Sequence, residues 1–175
     1  GLVGSEMCIR DSSYSDPSFR SLSTAELLEY YAVFYVGFAN PDSLLVMTDY
    51  LDAGGSLYIT DNDLGYRMAT TAFYQIYLQA TFRTDNGGDF ITGEGIMAGI
   101  DIDVSIDPFP DGFTVKNEGQ RILKFTDNDY AAGVLVNRNG YKAIHTALDF
   151  HRIKDYEDKV SVITVVADYL CGEYL

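Results

Sequence analysis

The stretch from Tyr31 to Thr60 restricts the fold more than any other part of this chain. Tyr31 to Phe38 (YAVFYVGF) is a continuous apolar run rich in β-branched and aromatic residues. Its length and composition suit a strand buried on both faces of a parallel sheet. Asn40 followed by Pro41 marks a helix start, as cap and first helical position. Leu44, Leu45, Met47, Tyr50 and Leu51 carry the helical stripe onward, and Gly54 with Gly55 ends it. Ser56 to Thr60 (SLYIT) is the next strand. Two strands joined through one helix by short connections make a βαβ unit, which predicts parallel pairing and an α/β domain.

The remaining elements follow from the same periodicities. Ser23 to Glu26 is a capping box that opens a short helix running to about Glu29. After the polar turn at Asp61 to Gly65, a helix is expected from Tyr66 to about Leu78, with Met68, Phe73, Ile76 and Tyr77 on one face. Thr81 to Thr84, Phe90 to Thr92 and Gly99 to Ile106 read as short extended pieces, the last alternating strictly as a strand with one wet face does. Pro108, Pro110 and Gly112 break the chain. Arg121 to Thr126, Ala132 to Asn137 and Tyr141 to Leu148 read as strands, with a hairpin turn at Asn137 to Gly140. A final helix runs from about Tyr156 to Tyr169. No repeat, linker or low-complexity segment interrupts the sequence.

At 175 residues, 47% of them apolar, the chain can bury one sizeable core. Its formal charge of −14 repels phosphate backbones and anionic membranes, so neither nucleic acid nor membrane is an expected partner. Leu2 to Ser12 (LVGSEMCIRDS) resembles one reading frame of a transposase-type sequencing adapter. Residues 1–12 are therefore expected to be adapter-derived, and 13–175 to be a single N-terminally truncated domain. Setting residues 1–12 aside leaves 11 basic against 24 acidic residues, a charge of −13. It also leaves Cys171 alone, a small apolar residue on the terminal helix with no partner for a disulfide or a metal cluster.

Asp49 to Tyr66 (DYLDAGGSLYITDNDLGY) resembles the LDAGG-containing segment of class I glutamine amidotransferase-like domains, of the kind found in large secreted and cell-surface bacterial proteins. Leu27-Leu28-Glu29-Tyr30 leading into the apolar strand is similar too, as are the Ala132-Gly133 strand, its hairpin at Gly140-Tyr141-Lys142 and the closing Asp168-Tyr169-Leu170. The similarity runs from about Leu22 to Leu170. It implies a three-layer α/β/α domain with a mostly parallel, flavodoxin-like sheet and a C-terminal β-hairpin. In that family a further strand and helix precede the segment with which this chain opens. The resemblance also implies export to the cell surface or beyond, and a setting among other domains of a larger polypeptide.

Catalytic members of the family carry a cysteine on the sharp turn after the strand equivalent to Ser56–Thr60, with a histidine to take its proton. Here that turn holds Asp61, Asn62 and Asp63, and neither Cys nor Ser lies between Thr60 and Gly65. Thiol catalysis is therefore not expected. Ligands of open α/β sheets sit beyond the carboxyl ends of the strands, where Asn40, Asp61, Asn62, Asp63, Asp149 and His151 fall. Asp61 and Asp63 suit two roles. They can cap the following helix and hydrogen-bond the turn, or they can serve a ligand, as oxygens for calcium or as carboxylates acting on a sugar. The Asp-Asn-Asp-Leu-Gly order does not follow the EF-hand spacing, so no metal is expected, and no cofactor is expected either. His151, beside Asp149 at a strand exit, is the candidate base, whereas His145 reads as an interior hydrogen-bonded histidine.

Two functions follow. One is a non-catalytic amidotransferase-like module that binds a glycan or small molecule, or scaffolds other domains. The other is a carbohydrate-active or other hydrolase using Asp61 or Asp63 with His151, a reading that gains if Asp61, Asp149 and His151 converge around a pocket. A missing neighbouring strand would also leave an open sheet edge or an exposed apolar groove near Tyr31–Phe38, and a domain prone to associate.

Overall fold

The computed structural model describes residues 19–172 of the chain. The segment 1–12, expected to be adapter-derived, lies outside the described residues. The α-helices bounded within the described residues are α1 (Thr24–Leu27), α2 (Pro41–Asp52), α3 (Leu64–Met68) and α4 (Tyr156–Cys171). A π-helical turn spans Phe73–Tyr77, and 3₁₀ turns span Gly95–Met97 and Phe150–Arg152. The strands are β1 (Val33–Val36), β2 (Ser56–Thr60), β3 (Ala80–Thr84), β4 (Phe90–Gly93), β5 (Asp101–Asp103), β6 (Gly112–Val115), β7 (Gly119–Phe125), β8 (Ala131–Arg138) and β9 (Tyr141–Thr146). Among the described residues no helix is long and apolar enough to cross a membrane.

One mixed sheet holds all nine strands, in the order β1-β2-β9-β8-β7-β4-β5, with β6 joining β3 to β8. Among the described strands only β1-β2 and β2-β9 are parallel; the pairings of β3 to β8 are antiparallel. The expectation of a mostly parallel sheet is thereby corrected. Parallel strands need a crossover of a dozen or more residues, and beyond residue 78 the chain turns on short glycine, proline and asparagine loops that permit only hairpin-like returns.

The βαβ unit forms as its sequence dictates. Asn40 Oδ1 accepts the N–H groups of Asp42 and Ser43, both at 3.1 Å, and Pro41 opens α2. Leu44, Met47, Tyr50 and Leu51 are the buried stripe of that helix. Beyond Thr60 the strands alternate between two cores on opposite faces of the sheet. Tyr141 and Ala143 of β9 pack with α2, whereas Ile144 packs with Val162, Val166 and Leu170 of α4. Cys171 is buried at the end of α4 and is not a free thiol, which corrects its reading as unpaired.

β1 departs from expectation. It is not buried on both faces: last in order among the described strands, it sets Tyr35 against α2 while Phe34, Val36 and Phe38 are 38%, 44% and 61% exposed.

Candidate functional site at the carboxyl ends of the parallel strands

Asp61 leaves β2 with its backbone N–H still bonded to Thr146 O across to β9, so its carboxylate is fixed at the mouth of the sheet. That carboxylate is buried and accepts three hydrogen bonds. Oδ2 accepts the Ala39 N–H at 2.9 Å and the Arg67 guanidinium at 2.5 Å, and Oδ1 accepts the Asp63 N–H at 3.0 Å. Arg67 also donates to Ala39 O at 2.6 Å, and its guanidinium lies 4.6 Å from the centre of the Phe38 ring. One ion pair thus ties the segment after β1 to the first turn of α3. Its Asp61 side chain is wholly buried and its Arg67 side chain one-quarter exposed, so loss of either partner leaves poorly solvated charge behind.

Asn62 points the other way. Its Nδ2 donates to Asp107 Oδ1 at 2.9 Å, and its carbonyl accepts the Asp111 N–H at 3.0 Å. Asp107 Oδ2 in turn accepts the Asp149 N–H at 2.9 Å. Burial raises the Asp107 carboxyl from its ordinary value, against the hydrogen bonds from Asp149 and Asn62. Asp149 caps the 3₁₀ turn by accepting the His151 N–H at 3.0 Å, and pairs with Arg152 at 3.2 Å. The His151 backbone carbonyl takes a hydrogen bond from Lys159, while the residue itself stands in solvent. Asn40 is engaged as the α2 cap. The structure therefore gathers Asp61, Asn62 and Asp63 at one turn, links Asp149 to them through Asp107, and leaves the His151 imidazole outside that network.

Asp63 differs from its neighbours. It stands at the N-cap of α3 without a side-chain capping bond and is half-buried. Burial chiefly raises its carboxyl, with Asp61, Asp85 and Asp107 adding to the rise and Arg67 opposing it. Thr60, whose hydroxyl donates to Leu148 O at 2.7 Å, is also committed. Among the described residues no group of three or more His, Cys, Asp or Glu side chains is placed to hold a metal ion.

Beneath the turn lies a buried polar group that sequence reasoning did not anticipate. Asp111 Oδ2 accepts the Tyr66 N–H at 3.0 Å, and burial pushes this carboxyl up to about 8. Asp111 Oδ1, Tyr74 Oη and His145 Nε2 are buried without a hydrogen-bond partner. Gly65 lets them approach: a Cβ there would meet Tyr74 Oη at 2.6 Å and Asp111 Oδ2 at 2.9 Å. His145 is interior as expected, with Nδ1 3.3 Å from Ile59 O and its ring stacked on Phe113. Burial pushes its imidazole down to about 4. Asp107 and Asp111 escaped notice because Pro108 and Pro110 made their segment read only as a break. Two acids bracketing a proline-stiffened loop were the available signal.

No protein-family model and no curated protein matches this chain. Solved structures resemble it in fold. A protein of Thermoplasma acidophilum assigned as a GMP synthase subunit superposes with a TM-score of 0.60 at 13% identity, covering 89% of this chain and 79% of its own. A ThuA-like protein of Bacteroides uniformis superposes with a TM-score of 0.58 at 10% identity, covering 89% and 75%. A cytoplasmic protein of Salmonella typhimurium gives 0.59 at 12% identity, covering 87% and 77%. At such identities the likeness is one of fold alone, an α/β fold with a mixed sheet.

Proposed function

We propose that this chain is an amidotransferase-like module that recognises or scaffolds and does not catalyse, carried within a larger polypeptide at the bacterial cell surface or beyond. The supporting observation is the state of Asp61. At the turn where the resembling enzymes place a nucleophile, this chain has a carboxylate already held by Arg67, Ala39 and Asp63. A carboxylate with three of its roughly four acceptor sites taken, and paired with a guanidinium, is poorly suited to attack or proton transfer, and its removal would disturb the turn itself. The exported setting and the neighbouring domains rest on the resemblance of the Asp49–Tyr66 segment. A glycan or small molecule would meet the face formed by Asn40, Asn62, Asp63, Asp149 and His151, with Asp63 the carboxylate left to accept its hydroxyl groups.

The hydrolase alternative, with Asp61 or Asp63 acting alongside His151, draws support from one feature: Asp63 is half-buried with a raised carboxyl, as a general acid would be. One experiment separates the two. The intact chain is incubated with glutamine and with a panel of nitrophenyl glycosides, and the protein is then weighed by mass spectrometry. No turnover and no adduct are expected. Turnover abolished by Asp61→Asn or Asp63→Asn, or a covalent acyl adduct, overturns the binding reading. A glycan array probed with the wild type and Asp63→Ala then tests recognition directly.

A further inference from the structure

Three buried side chains from three separate elements end in polar atoms that meet no hydrogen-bond partner among the described residues. They are Asp111 Oδ1 just before β6, Tyr74 Oη of the π-helical turn and His145 Nε2 of β9. Each of the three residues is 0% exposed. Buried polar groups are met by protein or ordered water in the large majority of folded proteins, so three neighbouring orphans call for a common partner.

Tyr74 stands between the other two. A Cβ on Gly65 would lie 2.6 Å from Tyr74 Oη and 2.9 Å from Asp111 Oδ2, so hydroxyl and carboxyl face one point. The Tyr74 ring also meets the His145 ring edge-on, with 6.0 Å between centres. Phe113 contacts both rings, at 6.5 Å and 5.5 Å, and Phe82 Cδ2 stands 2.9 Å from the point beside Gly65. The polar ends are thus walled by phenylalanine and do not bond one another directly.

Counting donors and acceptors identifies the partner. His145 Nδ1 stands 3.3 Å from Ile59 O, and a carbonyl only accepts, so Nδ1 carries the hydrogen of the neutral imidazole. Nε2 is left as an acceptor. The Tyr66 N–H donates to Asp111 Oδ2 at 3.0 Å, and the Gly65 N–H bonds the same carboxyl. Since Oδ1 has no partner, both backbone donors are met at Oδ2. Burial, reinforced by Asp63 and Asp85, keeps this carboxyl protonated at neutral pH, and its hydrogen therefore resides on Oδ1. The Tyr74 phenol, raised further by burial and by Asp111, keeps its hydrogen too. The three atoms present two O–H donors and one nitrogen acceptor. A cation would serve only the imidazole and an anion only the hydroxyls, whereas water accepts and donates at once.

We propose that one water molecule is bound in the interior between Asp111 Oδ1, Tyr74 Oη and His145 Nε2, accepting from both hydroxyls and donating to the imidazole. Three bonds are the usual complement of a buried water. Asp111 also donates its backbone N–H to Asn62 O at 3.0 Å, so this water joins the turn after β2 to the π-helical turn and to β9. The floor of the candidate site is then held in part by solvent, whether the site above it binds or catalyses.

The direct test is a high-resolution crystal structure of the intact chain grown in sodium bromide. The expected result is a density peak without anomalous signal, within about 2.7–3.2 Å of all three atoms. In solution, the Tyr66 amide and the Tyr74 hydroxyl should show cross-peaks to water with the negative Overhauser sign of a long-lived internal molecule. Oxygen-17 relaxation dispersion should count at least one fewer long-lived water in Tyr74→Phe with His145→Leu than in the wild type. Asp111→Asn, whose amide donates from the Oδ1 position, should keep that water. The wild-type crystal and Overhauser measurements decide the matter even where the double variant fails to fold. An anomalous bromide signal at the point assigns it to an anion and overturns the proposal. So does a direct bond between two of the three atoms with no peak between them, or the absence of water cross-peaks.

Discussion

A carboxylate can be buried because it is used or because it holds the chain together, and Asp61 and Asp111 separate the two by their partners. Asp61 accepts from three donors that join two loops. Asp61→Ala would strand the Arg67 charge and two N–H groups, so it should cost about 3 kcal/mol, read as a lowered urea midpoint with unchanged slope. Asp111 and His145 give opposite pH responses. The Asp111 carboxyl is raised to about 8 in the fold, so the folded state favours its protonated form. The stability this confers is complete below the usual carboxylate range and is lost as the pH rises through about 8. Asp111→Asn mimics the protonated side chain, and urea midpoints at pH 5 and pH 8 should show the variant gaining on the wild type as pH rises. The His145 imidazole is lowered to about 4, so its contribution is present above its ordinary value and lost as the pH falls toward about 4. His145→Gln should flatten the midpoint between pH 6.5 and pH 4.5; a variant that keeps the wild-type slope there would assign the acid response to other groups.

At the scale of elements, legibility followed local chemistry. Caps and glycine stops were readable because each acts within a few residues. Asn40 caps α2, and Asn139 and Gly140, with φ of 50° and 87°, make the β8–β9 hairpin turn. In the Asp52-Ala53-Gly54-Gly55 run each glycine has its own reason. Gly54 has a φ of 89°, and a Cβ on Gly55 would stand 2.3 Å from the Tyr50 ring, whose hydroxyl bonds the Ser56 backbone. Gly55→Ala should therefore cost about 1–3 kcal/mol by overpacking, measurable by thermal unfolding. The helix expected from Tyr66 to Leu78 was not legible as it formed. Thr71 donates its hydroxyl to Met68 O and accepts the Tyr74 N–H, competing with the backbone ladder. The segment divides into α3 and the π turn. β6 was missed because Pro110 and Gly112 conceal its start, and the site residues Asp107 and Asp111 went with it. They meet Asn62 and Tyr66 across a separation of 45 residues, which no local pattern records.

For the whole molecule, the sequence shows which strands exist more readily than how they pair. The βαβ unit made a parallel sheet the natural extrapolation, yet hairpin connections turned the larger part antiparallel, and the strand expected to be buried on both faces has one face partly exposed. Charge is different, because it acts without regard to topology. With 26 acidic and 12 basic residues, no arrangement of ion pairs can neutralise the surface. Pairs such as Arg121 with Glu94 and Lys154 with Asp103 are exposed enough to contribute little each. The remaining carboxylates repel one another more strongly in the compact state than in the expanded one. Raising sodium chloride from about 20 to 300 mM shortens the screening length from roughly 20 Å to roughly 6 Å, which weakens this repulsion more than it weakens contacts at hydrogen-bond distance. The melting temperature should accordingly rise by a few degrees over that range in calorimetry. A matched concentration of a neutral osmolyte separates screening from solvent exclusion. A fall in melting temperature with salt would mean that the few ion pairs outweigh the surplus of negative charge, and that the Asp61–Arg67 pair matters to global stability more than its partial exposure suggests.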